Sequence, residues 1–197
     1  MGKIAGNDNW GTYHISSNLE NYEVARSNFF TFIVEDLGNL VRSDFNLDEP
    51  TENDFIKDGQ EIIKLSVTRA SGPHYSINPI EIRRGNSVIK MAGLPSFDAG
   101  SIEVQDFVGL DTKSVLMAWH ALAYNTTNDL GGRMKEYKKN CTLVEYTQDH
   151  KEIRHWDLIG CWISAIEEED FDVGADGGDR KINCTIQYDR SYMHLPD

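Results

Sequence analysis

Residues Asn140–Ile163 confine this chain to a β architecture. Two runs dense in strand-forming residues, Asn140–Thr147 and Ile153–Ile163, stand on either side of a polar turn, Gln148–Glu152. That is the pattern of an antiparallel hairpin. A basic cluster (Arg133, Lys135, Lys138 and Lys139) leads into the first run, and the second closes on Gly160-Cys161-Trp162, a small residue followed by a bulky aromatic. No catalytic constellation lies in the stretch. It offers a sheet whose ends seek partners, which points to assembly.

Further strand patterns occur on both sides. Asn28–Val34 is dense in β-formers. Glu61–Thr68 places Ile63, Leu65 and Val67 at strand alternation, and Ile80–Arg84 and Asn86–Met91 read as short strands around Gly85. Ser101–Val108 alternates, and Lys181–Tyr188 is the last expected strand. Arg69–Pro79 and Gly93–Gly100, punctuated by Gly72-Pro73, Asn78-Pro79 and Pro95, read as irregular segments. One helix stands out, Thr112–Tyr124. Val115, Leu116, Trp119, Leu122 and Ala123 form its apolar stripe, and Asp111 is placed as an N-cap whose carboxylate would accept helix N–H groups. The stripe must cover a sheet face, so Leu116, Trp119 and Leu122 are expected to pack against it, with Trp162 of the hairpin meeting the helix. Many strands and one helix predict a mainly β fold, a barrel or sandwich with a flanking α-helix. Residues 1–27, rich in Asn, Ser and Gly, read as an N-terminal arm, and residues 28–197 as one domain carrying a long acidic insertion over 35–59. A plain loop of that length is unusual in a compact domain, which suggests an interface role for the insertion.

Charge and motif spacing exclude several classes. The formal charge is −13 over 197 residues, a poor balance for gripping nucleic acid, because phosphate is repelled. It is compatible with a wall past which nucleic acid slides. No run approaches the ~20 apolar residues that cross a bilayer, and Met1–Asp8 shows no apolar leader segment. The expectation is a cytoplasmic product without a membrane anchor. Cys141, Cys161 and Cys184 stand singly in apolar runs and read as buried thiols. His14, His74, His120, His150, His155 and His194 show no metal-binding spacing. Ser96 lacks a nucleophile-elbow frame and Gly131-Gly132 lacks a phosphate-loop frame, so no enzyme is expected and no cofactor. Asp170–Asp179 superficially resembles a calcium loop, but no closing Glu stands at the required offset. An acidic calcium-dependent binding module or enzyme is the alternative of another class.

The order of these features resembles the tail tube proteins of contractile-tailed bacteriophages. The resemblance covers Asn28–Tyr188. It rests on a single Trp-bearing helix, Gly131-Gly132, Glu136-Tyr137-Lys138-Lys139, the hairpin, Gly160-Cys161-Trp162, Phe97-Asp98 leading into Ser101–Val108, and the closing strand Ile182–Tyr188. The family commonly has Pro after that Trp, where Ile163 stands here. The resemblance implies a hexameric ring whose inner strands join into one continuous barrel, and rings that stack into a hollow tube inside a contractile sheath. It implies a subunit that conducts the genome into the host, belongs to the virion tail and assembles in the host cytoplasm. The implied partners are further copies of itself, the sheath protein, baseplate and tail terminator proteins, and, transiently in the lumen, the tape measure protein and DNA. Related tubes serve bacterial contractile injection systems, so a tube or baseplate tube initiator of such a machine is a second expectation. Inter-ring stacking falls by resemblance on Arg69–Pro79, with Ser71, Gly72, Pro73, His74, Tyr75 and Pro79 as candidates. The cluster Arg133, Lys135, Lys138 and Lys139 is a candidate sheath-facing patch by charge complementarity.

Overall fold

A computed structural model describes residues 24–38, 40–41, 55–56, 58–126, 128–167 and 177–196. Most of the expected arm, much of the 35–59 insertion and Asp170–Asp176 of the acidic loop lie outside them.

Along the chain the described residues form β1 (Phe30–Val34), β2 (Leu40–Val41), β3 (Phe55–Ile56), α1 (Gly59–Ser66), β4 (Val67–Ala70), β5 (Tyr75–Arg84), β6 (Ser87–Phe97), β7 (Gly100–Gln105), α2 (Thr112–Ala123), β8 (Tyr124–Asn125), β9 (Leu130–Gly131), α3 (Met134–Tyr137), β10 (Lys139–Tyr146), β11 (Glu152–Ile166), β12 (Lys181–Gln187) and β13 (Arg190–His194). The main sheet runs β1-β10-β11-β12-β7-β4, with β13 also on β11, and every pairing in it is antiparallel.

The expected hairpin is the trunk of this sheet. β10 pairs with β11 from Lys139↔Cys161 to Tyr146↔Glu152. The other edge of β11 is shared: His155–Ile159 pair with β13, and Trp162–Ile166 pair with β12. The handover falls at Gly160, where φ is +72°. The backbone there favours glycine, and a Cβ would also lie 2.5 Å from Asp189 Oδ2, so that carboxylate would have to move aside.

Strand alternation sorts the two faces. Phe32 and Val34 of β1, Cys141 and Leu143 of β10, Ile102 and Val104 of β7, and Ile182, Cys184 and Ile186 of β12 are buried together. Helix α2 closes this layer with Val115, Leu116 and Trp119, all buried, while α1 packs against β1 and α2. The three cysteines are buried thiols, and desolvation pushes the Cys141 thiol well above its ordinary range. Around β4, β7 and β12 the opposite face is polar. On it Lys181 Nζ meets Glu103 Oε1 at 2.8 Å and Thr68 donates to the same carboxylate oxygen at 3.0 Å. These two hydrogen bonds hold the Glu103 carboxyl below its ordinary range. The outer strands β1 and β4 come near one another without pairing. The fold is mainly β, and among the described residues of one copy the sheet does not close into a barrel.

Four local expectations need correction. Of Glu61–Thr68 only Val67-Thr68 are strand, opening β4: Gly59–Ser66 is helical, because Ile62, Ile63 and Ser66 share one helix face, and Leu65, counted in the strand alternation, points outward at 69% exposure. The Ser66 hydroxyl donates back to Ile62 O at 2.6 Å and lies 3.2 Å from Thr112 Oγ1, joining α1 to α2. Asp111 precedes α2, but its carboxylate accepts from the Ser114 hydroxyl at 2.6 Å and makes no side-chain cap to the helix N–H groups. The segments read as irregular are largely strand, and β5 and β6 are twice the expected length. Pro79 pairs with Ala92 beside a register shift, and the next residue, Gly93, gives room to Asn78, since a Cβ there would fall 2.3 Å from Asn78 O. Finally β13 was not foreseen. Its sequence, Arg-Ser-Tyr-Met-His, lacks apolar alternation because it is an outer strand that pairs, among the described strands, with β11.

Candidate functional site

Two features leave the core layer: a long hairpin and a basic turn. The hairpin is β5–β6, joined through Gly85-Asn86 with Gly85 at φ +60°. Its pairing sorts side chains into two faces. Ile80↔Met91 and Ile82↔Ile89 stack on one side, whereas Glu81↔Lys90 and Arg83↔Val88 stack on the other. The charged side carries a Glu81–Lys90 contact of 3.6 Å. The apolar side is uncovered: Ile80, Ile82, Ile89 and Met91 are each between 41% and 55% exposed, and Leu94 reaches 86%. β5 and β6 pair with one another and with no other described strand. An isolated two-stranded ribbon is marginal in water, and an uncovered apolar face of this kind marks an interaction site.

The base of the hairpin is fixed to the sheet. The Tyr188 hydroxyl accepts from His74 N–H and donates to His74 O, both at 3.0 Å. Burial holds that phenol above its ordinary range. Phe97 lies between Tyr75 and Tyr188, with ring centroids 5.5 and 6.2 Å away. Ser71 locks to Ser101, its N–H donating to Ser101 O at 2.9 Å and its Oγ accepting from Ser101 N–H at 2.7 Å. Of the sequence-derived stacking candidates, Ser71, Gly72, Pro73, His74 and Tyr75 therefore sit at this anchored base, and Pro79 sits in the projecting ribbon. The apolar residues beyond Pro79 were not among those candidates. Their alternation (Ile80, Ile82, Ile89, Met91) was visible in the sequence, but alternation alone does not say that nothing covers it.

The basic turn is tied to the core by aromatics. Trp119, 1% exposed, donates its Nε1–H to Tyr137 O at 3.0 Å, and the Tyr137 ring meets Trp162 edge-on at 5.8 Å. Leu116 is buried under α2 and Leu122 is partly buried against the same cluster. Trp162 thus meets the helix layer through Tyr137. Arg133 and Lys135 are exposed on α3 and its approach. Lys138, by contrast, is spent on both carboxylate oxygens of Asp189, at 2.7 and 2.8 Å, and Lys139 is half-buried at the start of β10. The four basic residues do not form one equivalent patch.

The family model described as T4-like virus tail tube protein gp19 matches residues 52–189. The chain is similar to the tail tube protein gp19 of Enterobacteria phage T4, 24% identical over 106 residues, which are 53% of this chain and 65% of that protein. The chain thus spans about two thirds, 65%, of the length of the curated relative it matches. In fold it is similar to a chain of the sheath–tube complex of the extracellular contractile injection system PVC in its extended state. The TM-score there is 0.60 at 17% identity, covering 94% of this chain and 99% of that one. It is also similar to the tube-terminating cap of the anti-feeding prophage, at a TM-score of 0.60 and 16% identity, covering 88% of this chain and 93% of that one.

Proposed function

The chain belongs to the T4-like virus tail tube protein gp19 family, and from that premise we propose that it is a tail tube subunit. Six copies close into a ring, rings stack, and the stack is the hollow conduit of a contractile tail in the virion, assembled in the host cytoplasm. The observation that carries this reading is the incompleteness of a single copy. Among the described residues its sheet has unpaired outer strands, and its β5–β6 hairpin exposes an apolar face. Open strand edges are a liability in a lone molecule, and identical neighbours remove them by continuing the sheet into a barrel. A rotating head-to-tail contact closes a ring, and a translating one makes a filament.

In this reading the polar sheet face around Glu103, Lys181, Asn183 and Thr185 lines the bore. Its charges are internally paired, Glu103 with Lys181, so it presents neither a cationic track nor a bare acidic wall to passing DNA or to a tape measure protein. The hairpin β5–β6 lays its apolar face on the next ring. The role is structural, in keeping with the family, and no catalytic step is assigned. Residues 1–27 and 35–59 are proposed as additional contacts around the one tube domain.

Arg133 and Lys135 are proposed to meet an acidic sheath surface, and baseplate and tail terminator proteins to meet the tube's ends. Charge reversal, Arg133→Glu with Lys135→Glu, is expected to reduce co-sedimentation of sheath with preformed tubes several-fold at low salt while tubes themselves persist. Unchanged sheath binding would remove these residues from that role.

Negative-stain imaging of the purified full chain tests the main reading. Sixfold annular particles that stack into tubes are the expected result. Rings that never stack would make the chain a tube initiator, as in a baseplate of a related injection machine. A monomer at high concentration would sink the proposal. The calcium-module alternative is not favoured by the family, and Asp170–Asp176 lie outside the described residues.

A further inference from the structure

His155 and His194 are 39 positions apart by number and share no motif, yet the β11–β13 register sets them directly opposite one another. Their rings stack at 4.9 Å with an interplanar angle of 20°. Asp157, two residues along β11, projects from the same face, and its Oδ2 lies 3.2 Å from His194 Nε2. One ligand atom from each of the three lies within 4.8 Å of the others. Two imidazoles and a carboxylate at that separation need only small side-chain rotations to converge on one ion, whose ligands stand about 2.0–2.2 Å from it.

The surroundings fit that use. The Glu152 carboxylate contacts His155 Nδ1. A ring that donates Nδ1–H to a carboxylate presents its lone pair on Nε2, and a carboxylate behind a ligating histidine fixes the ring and strengthens it as a donor. All four side chains are between 31% and 50% exposed, so an ion reaches them from solvent and a fourth, water position stays open. Nitrogen-rich sites of this kind select borderline ions such as zinc, nickel or copper over calcium or magnesium, which take oxygen ligands.

We propose that His155, Asp157 and His194 form a site for a divalent transition-metal ion, with Glu152 as the residue that orients His155. The ion clips β13, the last strand, onto β11. The site is independent of the tail tube reading, since it lies within one copy and needs no assembly.

The test is zinc titration of the full chain by calorimetry near neutral pH, with the metal alone as probe. One ion per chain is expected. His155→Ala and His194→Ala each weaken binding at least tenfold, Glu152→Gln weakens it on the order of tenfold, and His120→Ala, on helix α2, leaves it unchanged. These side chains are partly exposed, so the variants should keep the wild-type circular dichroism. Ring-proton shifts of His155 and His194 on adding zinc to the wild type give a readout that depends on no variant. Absence of binding, equal binding by both alanine variants, or undisturbed His155 and His194 signals would overturn the site.

Discussion

Replacing residues 76–96 with a short Gly-Ser turn is expected to yield a folded subunit that no longer makes tubes. The excised ribbon carries Ile80, Ile82, Ile89 and Met91 on its uncovered face and, among the described strands, pairs within itself. Fully burying such side chains contributes roughly 1.5–3 kcal/mol each. Each is already about half buried in the single copy, so four of them supply roughly 3–6 kcal/mol per ring-to-ring contact, before the cost of ordering. The core loses little, because Tyr75, Phe97 and the Tyr188 clamp on His74 remain. A melting temperature within about 4 °C of wild type corresponds to a change of ~1 kcal/mol in a chain of this size. Electron microscopy and sedimentation check the outcome: rings or single subunits in place of long particles. Tubes of ordinary length from the deletion variant would show that the hairpin does not join rings. Charge changes on its other face, such as Lys90→Ala, should act weakly, since the Glu81–Lys90 pair is exposed.

Trp119→Ala is the second large effect, and it acts on folding. The side chain is 1% exposed at the centre of the helix-to-sheet layer, and its Nε1–H satisfies Tyr137 O. Truncating a buried Trp costs about 3–5 kcal/mol, a large share of the roughly 5–15 kcal/mol that holds a domain folded. The melting temperature should drop by about 6–20 °C, read by circular dichroism or urea unfolding. Trp119→Phe keeps most of the volume but removes the donor and leaves Tyr137 O unsatisfied, at about 1–3 kcal/mol. A wild-type melting curve from the alanine variant would mean that this layer is not the core. Because Tyr137 also closes the basic turn and touches Trp162, the same substitution should loosen Arg133–Lys138.

The two surfaces differed in how far they could be read from the sequence. The β10–β11 hairpin, helix α2 and its buried Leu116 and Trp119 were legible, since apolar periodicity over long runs reports which side of an element meets the core. Helix α1 was misread because Ile63, Leu65 and Val67 satisfy strand spacing as well as Ile62, Ile63 and Ser66 satisfy helix spacing, and only packing against β1 and α2 chose between them. The basic cluster was visible as four charges. That Lys138 is committed to Asp189 depends on the turn between β12 and β13, about fifty residues on.

Local pattern by itself determined a mainly β chain, one long amphipathic helix, buried thiols at Cys141, Cys161 and Cys184, and an acidic surface ill-suited to gripping phosphate. Those properties follow from side-chain period and charge, which are written along the chain. Tertiary structure alone decided that the apolar faces of β5 and β6 stay bare, that Gly160 hands β11 from β13 to β12, and that His155 faces His194. Exposure and cross-strand register are relations between distant segments, set by which surfaces pack best once the sheet is ordered, so no window of neighbouring residues contains them.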